Sequence, residues 1–362
     1  MSNVVFILGA GASRQCGAPL MFDFLDVASK LLRSNEVQEK RNEFERVFAA
    51  IGALQAVHSK AQLDLNNIES IFTVLELGRI IQRVPGLSAE QIPQTIAALK
   101  ELIVKTLEVT MKFPTRDRYI GVPKPYEEFA DLIAHLYKDA FPTQTASVIS
   151  FNYDLAADMA MYRANLGPDY VVDKPPDRQV HVPLLKLHGS LNWATEKSSR
   201  KIRALHLTSY FQHYSYNGYE KYGSTRLPIG SQLVEYFSRH ASTEVDPEPV
   251  IVPPSWNKAD YHAALSDVWA AAAKHLSEAE HIYVIGYSLP ETDSFFRHLY
   301  ALGSVGVTPL RQFAVFNPDS TGVTDARFQA LLGPGAMARY EYHPSTFEQA
   351  IGHIKTLFPK RP

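Results

Sequence analysis

One cysteine, Cys16, stands in 362 residues. A single thiol can form no intrachain disulfide and no cysteine-based zinc cluster, so a reducing compartment and a chain without a metal are expected. An excess of charge of either sign is missing too. The 36 Lys and Arg against 38 Asp and Glu leave a net charge of −2. No global positive field exists to hold a phosphate backbone or an anionic leaflet, and neither direct nucleic-acid binding nor membrane binding is expected. Charges or prolines interrupt every apolar stretch before the length of about 18 residues that a membrane span needs. The first residues show neither a basic region nor a small-residue cleavage site, so no signal peptide is expected and the cytoplasm is the expected location. Internal repeats, heptads and low-complexity tracts are lacking as well.

What is present is an ordinary globular composition, 46% hydrophobic and 20% charged, able to bury a core. The length fits two to three folding units, or one large α/β unit with insertions. Val4-Val5-Phe6-Ile7-Leu8 reads as a strand, Gly9-Ala10-Gly11-Ala12-Ser13 as a glycine turn, and Leu20 to Leu32 as a helix. Apolar residues at three- and four-residue spacing then predict helices over 36–58, 66–83, 88–112 and 124–138, a helical insertion at about 36–140. Strand-like runs return at Ser147–Phe151, Val182–Leu187, Val250–Val252, His281–Ile285 and Gln312–Phe316. Several are continuously apolar, as strands buried on both faces are, which predicts a Rossmann-like, doubly wound parallel sheet. Helices are expected at 155–164, 258–277, 291–302, 323–332 and 345–357. A Tyr-rich stretch at about 195–248, with Tyr210, Tyr214, Tyr216, Tyr219 and Tyr222, shows no period and reads as an irregular insertion.

Open parallel sheets bind ligands beyond the carboxyl ends of their strands, so the residues after each strand carry the functional signal. Gly9 and Gly11 suit either an anion cradle at a helix start or a tight turn, with Ser13 adding a hydroxyl. Arg14 occupies the place where a hydride-transfer fingerprint needs a third glycine, which disfavours dehydrogenase chemistry. Asn152 and Asp154 follow the strand at 147–151; one of them can cap the next helix and the other is left for chemistry. His188 sits beside Gly189 at the end of another apolar strand. Gly286-Tyr287-Ser288 follows the strand at 281–285, with Thr292 or Asp293 as a cap of the next helix, and Asn317 ends the strand at 312–316.

In this order the motifs resemble the sirtuin superfamily: a GAG-x-S loop, Asn-x-Asp after a strand, His-Gly-Ser, Gly-x-Ser, and a late strand ending in Asn. The wording SFNYD, LHGSLNW and IGYSLPETD is most similar to the sirtuin-like proteins of bacterial anti-phage defence. The resemblance implies one sirtuin-like Rossmann domain over 1–357 that binds NAD as its substrate and cleaves the bond between nicotinamide and ribose. It also implies site roles. Gly9, Ala10, Gly11 and Ser13 would lie along the pyrophosphate and nicotinamide ribose, Gly286 and Ser288 at the phosphate or ribose, and Asn317 near the adenine ribose. Asn152, Asp154 and His188 match the catalytic turn and catalytic histidine.

Two departures bear on the activity. A four-cysteine zinc module cannot be built from Cys16, and Pro19-Leu20-Met21-Phe22-Asp23 replaces the family's proline-aspartate-phenylalanine-arginine stretch. Both argue for NAD hydrolysis over acyl-lysine removal. On this reading Asn152 orients water and ribose hydroxyls, and His188 acts as general base. Asp154 either stabilises the cationic ribose or holds the turn. Because unregulated NAD loss would poison the cell, gating is expected, through a homo-oligomer or through a partner such as a HerA-type ATPase or an Argonaute-like protein. The rival readings are a non-catalytic sensor of NAD or ADP-ribose and an NAD-dependent protein deacylase.

Overall fold

A computed structural model describes residues 4–56, 63–116, 119–140, 144–173, 180–205, 207, 222–225, 244–252, 259–291 and 293–359. The fold is Rossmann-like α/β. Its central sheet has seven strands in the order β13 (Tyr340–His343), β12 (Gln312–Phe316), β11 (His281–Ile285), β1 (Val4–Leu8), β4 (Ala146–Ser150), β6 (His181–Lys186) and β5 (Gly167–Asp169). Every neighbouring pair is parallel. β1 lies at the centre, with Val4 opposite His281 on one side and Ala146 on the other. All five of its side chains are buried, which is why the run Val-Val-Phe-Ile-Leu shows no polar alternation.

From β1 the chain moves outward to β4 and β6, then returns to the opposite side of β1 at β11 and continues outward to β12 and β13. The strand order therefore reverses beside β1. The loops after β1 and β11 diverge from that point and open a crevice there.

Helices cover the sheet. α1 (Ala10–Ser13) and α2 (Phe24–Arg33) follow β1, and α2 packs with α3 (Arg41–Gln55) and α5 (Gln91–Thr110); α4 (Ile68–Ile80) packs on α5. α6 (Lys124–Lys138) falls within the expected helical stretch of 36–140 yet packs on β4, α7 (Ala156–Arg163) and the last helix, α12 (Phe347–Leu357). Phe129 of α6 meets Phe6 edge-on at 5.1 Å, and Tyr126 meets Phe347 at 5.0 Å. α8 (Ala259–Ser277), α9 (Ser294–Gly303), α10 (Val323–Leu331) and the short α11 (Pro334–Met337) complete the helices. Phe313 contacts Tyr300 of α9 and Phe328 of α10, whereas Phe316, three residues on and so on the opposite face, contacts His353 of α12.

The expected strand at Val250–Val252 belongs elsewhere. It overlaps the end of β10 (Val245–Ile251), which pairs antiparallel with β7 (Gly189–Glu196) in a separate sheet completed by β8 (Ile202–Ala204). A third sheet joins β3 (Tyr119–Ile120), β2 (Phe113–Arg116) and β9 (Tyr222–Thr225). The helix expected from Leu20 starts at Phe24, because Pro19–Asp23 forms a turn in which Asp23 accepts from the Leu20 N–H and from Arg14. Tyr210, Tyr214, Tyr216, Tyr219 and most of the stretch at about 195–248 lie outside the described residues, as does Thr292. Among the described residues no helix is long and apolar enough to cross a membrane.

Candidate functional site

The two loops that part beside β1 touch each other closely. Gly11 N–H donates to the Gly286 carbonyl at 2.8 Å, and Gly9 N–H to Ile285. A Cβ on Gly11 would stand 2.8 Å from the Gly286 oxygen, and one on Gly9 would stand 2.5 Å from the Tyr287 Cα. Gly286 itself has φ +64, and a Cβ there would meet the Ala12 nitrogen at 2.3 Å. These glycines are thus required by loop-on-loop packing. Of the two uses open to these glycines, the Gly11 N–H serves the turn, because it bonds Gly286.

Beyond this contact opens a cleft of about 490 Å³, within the usual range for small-molecule sites. Seven of the expected site residues line it: Ala10, Gly11, Asn152, His188, Gly286, Ser288 and Asn317. Gly9, Ser13 and Asp154 do not line it; they sit behind the wall. There Ser13 Oγ donates to Asp154 Oδ2 at 2.7 Å, lies 2.8 Å from Tyr126 Oη, and receives the Asn152 amide at 3.1 Å. Asp154 also accepts from the Ala156 N–H at the start of α7. Both Asp154 carboxylate oxygens are thus engaged within the protein, Oδ2 by Ser13 and Oδ1 by Ala156.

Asn152 is oriented without ambiguity. Its Nδ2 lies 3.0 Å from the Gly9 carbonyl, which can only accept, so the NH₂ group must face that way. Both amide protons are then committed, to Gly9 and Ser13. Oδ1 accepts no hydrogen bond among the described residues.

His188 leaves β6 at the sheet's carboxyl edge. The Val252 N–H donates to its carbonyl, and Leu187 N–H to Ser150, so the backbone is held on both sides. Gly189 follows at φ +84, where a Cβ would meet the Val250 oxygen at 2.1 Å; the chain must turn here to enter β7. The imidazole is buried against Phe151, at 5.2 Å between ring centres, and Phe151 stacks on Tyr287 at 4.2 Å. Nε2 lies 4.0 Å from Asp293 Oδ2, which accepts from Tyr287 Oη at 2.6 Å. Asp293 stands at the N-cap position of α9 but makes no capping hydrogen bond with its side chain, so the expected cap faces the cleft instead. Its signal was in the sequence, in the same strand-end loop as Ser288, but caps are the commonest use of such an aspartate.

Behind the turn lies a second buried charge pair. Lys186 Nζ bonds Asp158 Oδ2 at 3.0 Å and the Asp154 carbonyl at 2.6 Å, and Tyr170 Oη donates to Asp158 Oδ1. Burial raises the Asp154 carboxyl, while Lys186 and Ser13 pull it back down. Burial also raises the Tyr126 and Tyr287 phenols well above their ordinary value, keeping both as neutral hydroxyls. The Cys16 thiol is raised strongly for the same reason and is no nucleophile.

At the far end of the cleft, hydrogen bonds from Thr321 and the Thr324 backbone hold the Asp319 carboxyl well below its ordinary range, and Arg327 reaches the Ser288 carbonyl at 3.4 Å. The opposite wall comes from the helical segment. Asn67 caps α4 by accepting from the Glu69 N–H, and Asn67, Glu69 and Phe72 line the cleft. Nothing in the sequence motifs marked these, since they reach the site only through tertiary packing.

No family model and no curated protein matches the chain. Among solved structures, it is similar to Sir2 enzymes. One, described for the mechanism and regulation of Sir2 enzymes, aligns at 12% identity over 98% of this chain and 94% of that one, with a TM-score of 0.42. A Sir2 with a p53 peptide and NAD+ aligns at 10% identity over 98% and 92%, with a TM-score of 0.41.

Proposed function

We propose that the protein is an NAD+ glycohydrolase that splits NAD+ into nicotinamide and ADP-ribose. The observation that carries this reading is the pairing of Asn152, its amide locked and its Oδ1 left over, with the buried His188 in one cleft at the point where the strand order reverses. The order of motifs from Gly9 to Asn317 supports NAD+ as the ligand, and seven of the residues that carry it line the cleft.

Breaking the bond leaves an oxocarbenium-like ribose and sends the electron pair to the pyridine nitrogen, which departs neutral. Nicotinamide therefore needs no strong acid. Water then adds its oxygen to the ribose carbon and one proton is released. Asn152 Oδ1 accepts from that water or from a ribose hydroxyl, and His188 takes the proton as general base. Phe151 and Tyr287 keep the site dry, which strengthens every polar contact made there. Ser13, Asp154 and Tyr126 fix the position of Asn152 from behind and touch no substrate. The biological role on this reading is NAD+ depletion in anti-phage defence, gated by self-assembly or by a partner of the ATPase or Argonaute-like kind.

The test is incubation of the full chain with NAD+, followed by mass spectrometry. Nicotinamide and ADP-ribose in equal amounts without any acyl peptide are expected. His188→Ala and Asn152→Ala should each lower turnover by about 10² to 10⁴ while the fold survives. Intact NAD+ until an acyl-lysine peptide is added would assign the site to deacylation, and NAD+ bound but unconverted both by the chain alone and by its assembled or partnered form would make it a sensor.

A further inference from the structure

Three donors converge outside the cleft, on the last strand and the last helix. Glu341 and His343 are two residues apart on β13 and so share one face, the face covered by α12. His353 comes from α12. A capping box, in which Gln349 N–H donates to Thr346 Oγ1 and Thr346 N–H to Gln349 Oε1, starts the helix three residues after His343. Two turns later it brings His353 back over the strand. One ligand atom from each of Glu341, His343 and His353 lies within 4.8 Å of the others.

The group is held from outside as well. Gln312 Nε2 donates to Glu341 Oε2 at 3.1 Å, and Tyr283 Oη in turn donates to Gln312 Oε1 at 2.9 Å. His343 Nε2 lies 3.2 Å from the same Glu341 oxygen, and its ring stacks on Phe316 at 4.8 Å and 12°. A ligand carboxylate oriented by an outer hydrogen bond is what metal centres use.

We propose that Glu341, His343 and His353 form a binding site for a divalent transition cation, zinc foremost. Two imidazoles, which are borderline donors, together with one carboxylate make a ligand set that zinc accepts, and three protein ligands leave a fourth position for water. Zinc at about 2.1 Å from each donor sets them about 3.4 Å apart. The half-exposed Glu341 reaches that spacing by a small rotation. The bound cation clasps β13 to α12. It also lies one residue from the cleft, because the Asn317 N–H donates to the His343 carbonyl.

Zinc titration of chelator-treated full chain, followed by calorimetry and thermal melting, tests this. One equivalent per chain should bind and raise the melting temperature. His353→Gln and His343→Ala, both at accessible positions, should abolish that equivalent with an unchanged circular dichroism spectrum. Gln312→Ala should weaken it about tenfold. Failure of any equivalent to bind, or an equivalent retained in both histidine variants, would overturn the assignment. None of these readouts depends on NAD+ cleavage.

Discussion

His188 Nε2 and Asp293 Oδ2 face each other 4.0 Å apart, both side chains almost wholly buried. A carboxylate at that distance favours the imidazolium that forms when His188 takes a proton. On the proposed reading, in which His188 is the general base, Asp293 is a positioning residue. Asp293→Asn keeps the side chain's size but removes the charge, and turnover of NAD+ should fall roughly 10- to 100-fold with little change in KM. Turnover left at the wild-type level in steady-state kinetics would contradict this pairing.

Gly286 stands where the two ligand-edge loops meet, at φ +64 with Ala12 N in the place of a Cβ. Gly286→Ala cannot be absorbed by a flexible side chain, because the obstacle is backbone. A loss of roughly 1–3 kcal/mol in urea unfolding is expected, together with loss of turnover as the loops are pushed apart.

Lys186→Met leaves Asp158 buried with Tyr170 as its one remaining side-chain partner among the described residues. Removing one partner of a buried pair costs about 3–5 kcal/mol. Replacing both, as in a Lys186→Met, Asp158→Leu double variant, should recover much of that in denaturant melts. Activity should not return in the double variant, because Lys186 also holds the Asp154 carbonyl in the turn that carries Asn152.

Glu108 on α5 predicts a pH dependence of stability. Burial pushes its carboxyl up from the ordinary 4.5 to about 7, against the pull of Lys105 3.2 Å away. A raised acid stabilises the fold through its proton. That contribution is complete below pH 4.5 and is lost as pH rises through about 7, on the order of 3 kcal/mol at most. Thermal melts should show wild-type stability falling over this window and Glu108→Gln flattening the fall.

The central sheet was legible because its strands are buried on both faces and announce themselves as continuous apolar runs, from Val4–Leu8 to Gln312–Phe316. β13 escaped notice for the opposite reason: Tyr340-Glu341-Tyr342-His343 alternates, lies at the sheet's edge and is only half buried. β7 was hidden by Asn192 and Ser190, polar residues that are fully buried because they bond each other. In the site, Asn152 and His188 could be named from their places after strands. Asp154 could be named but not given a role, because whether it faces the ligand or the wall depends on Ser13, 141 positions away. Asn67, Glu69 and Phe72 carry no local signature at all; their helix reaches the cleft only once α4 has packed on α5.

The Tyr126 hydroxyl, resting 2.8 Å from Ser13 Oγ, has a practical implication for anyone wishing to dissect the chain. Excising the helical stretch at 36–140 to obtain a minimal catalytic core would remove Tyr126 along with Phe72 and Asn67. It would unseat the serine that steadies Asn152 and strip one wall from the cleft. The segment that looks most like a removable accessory is stitched into the chemistry at both ends, so trimming for expression or crystallisation has to spare it.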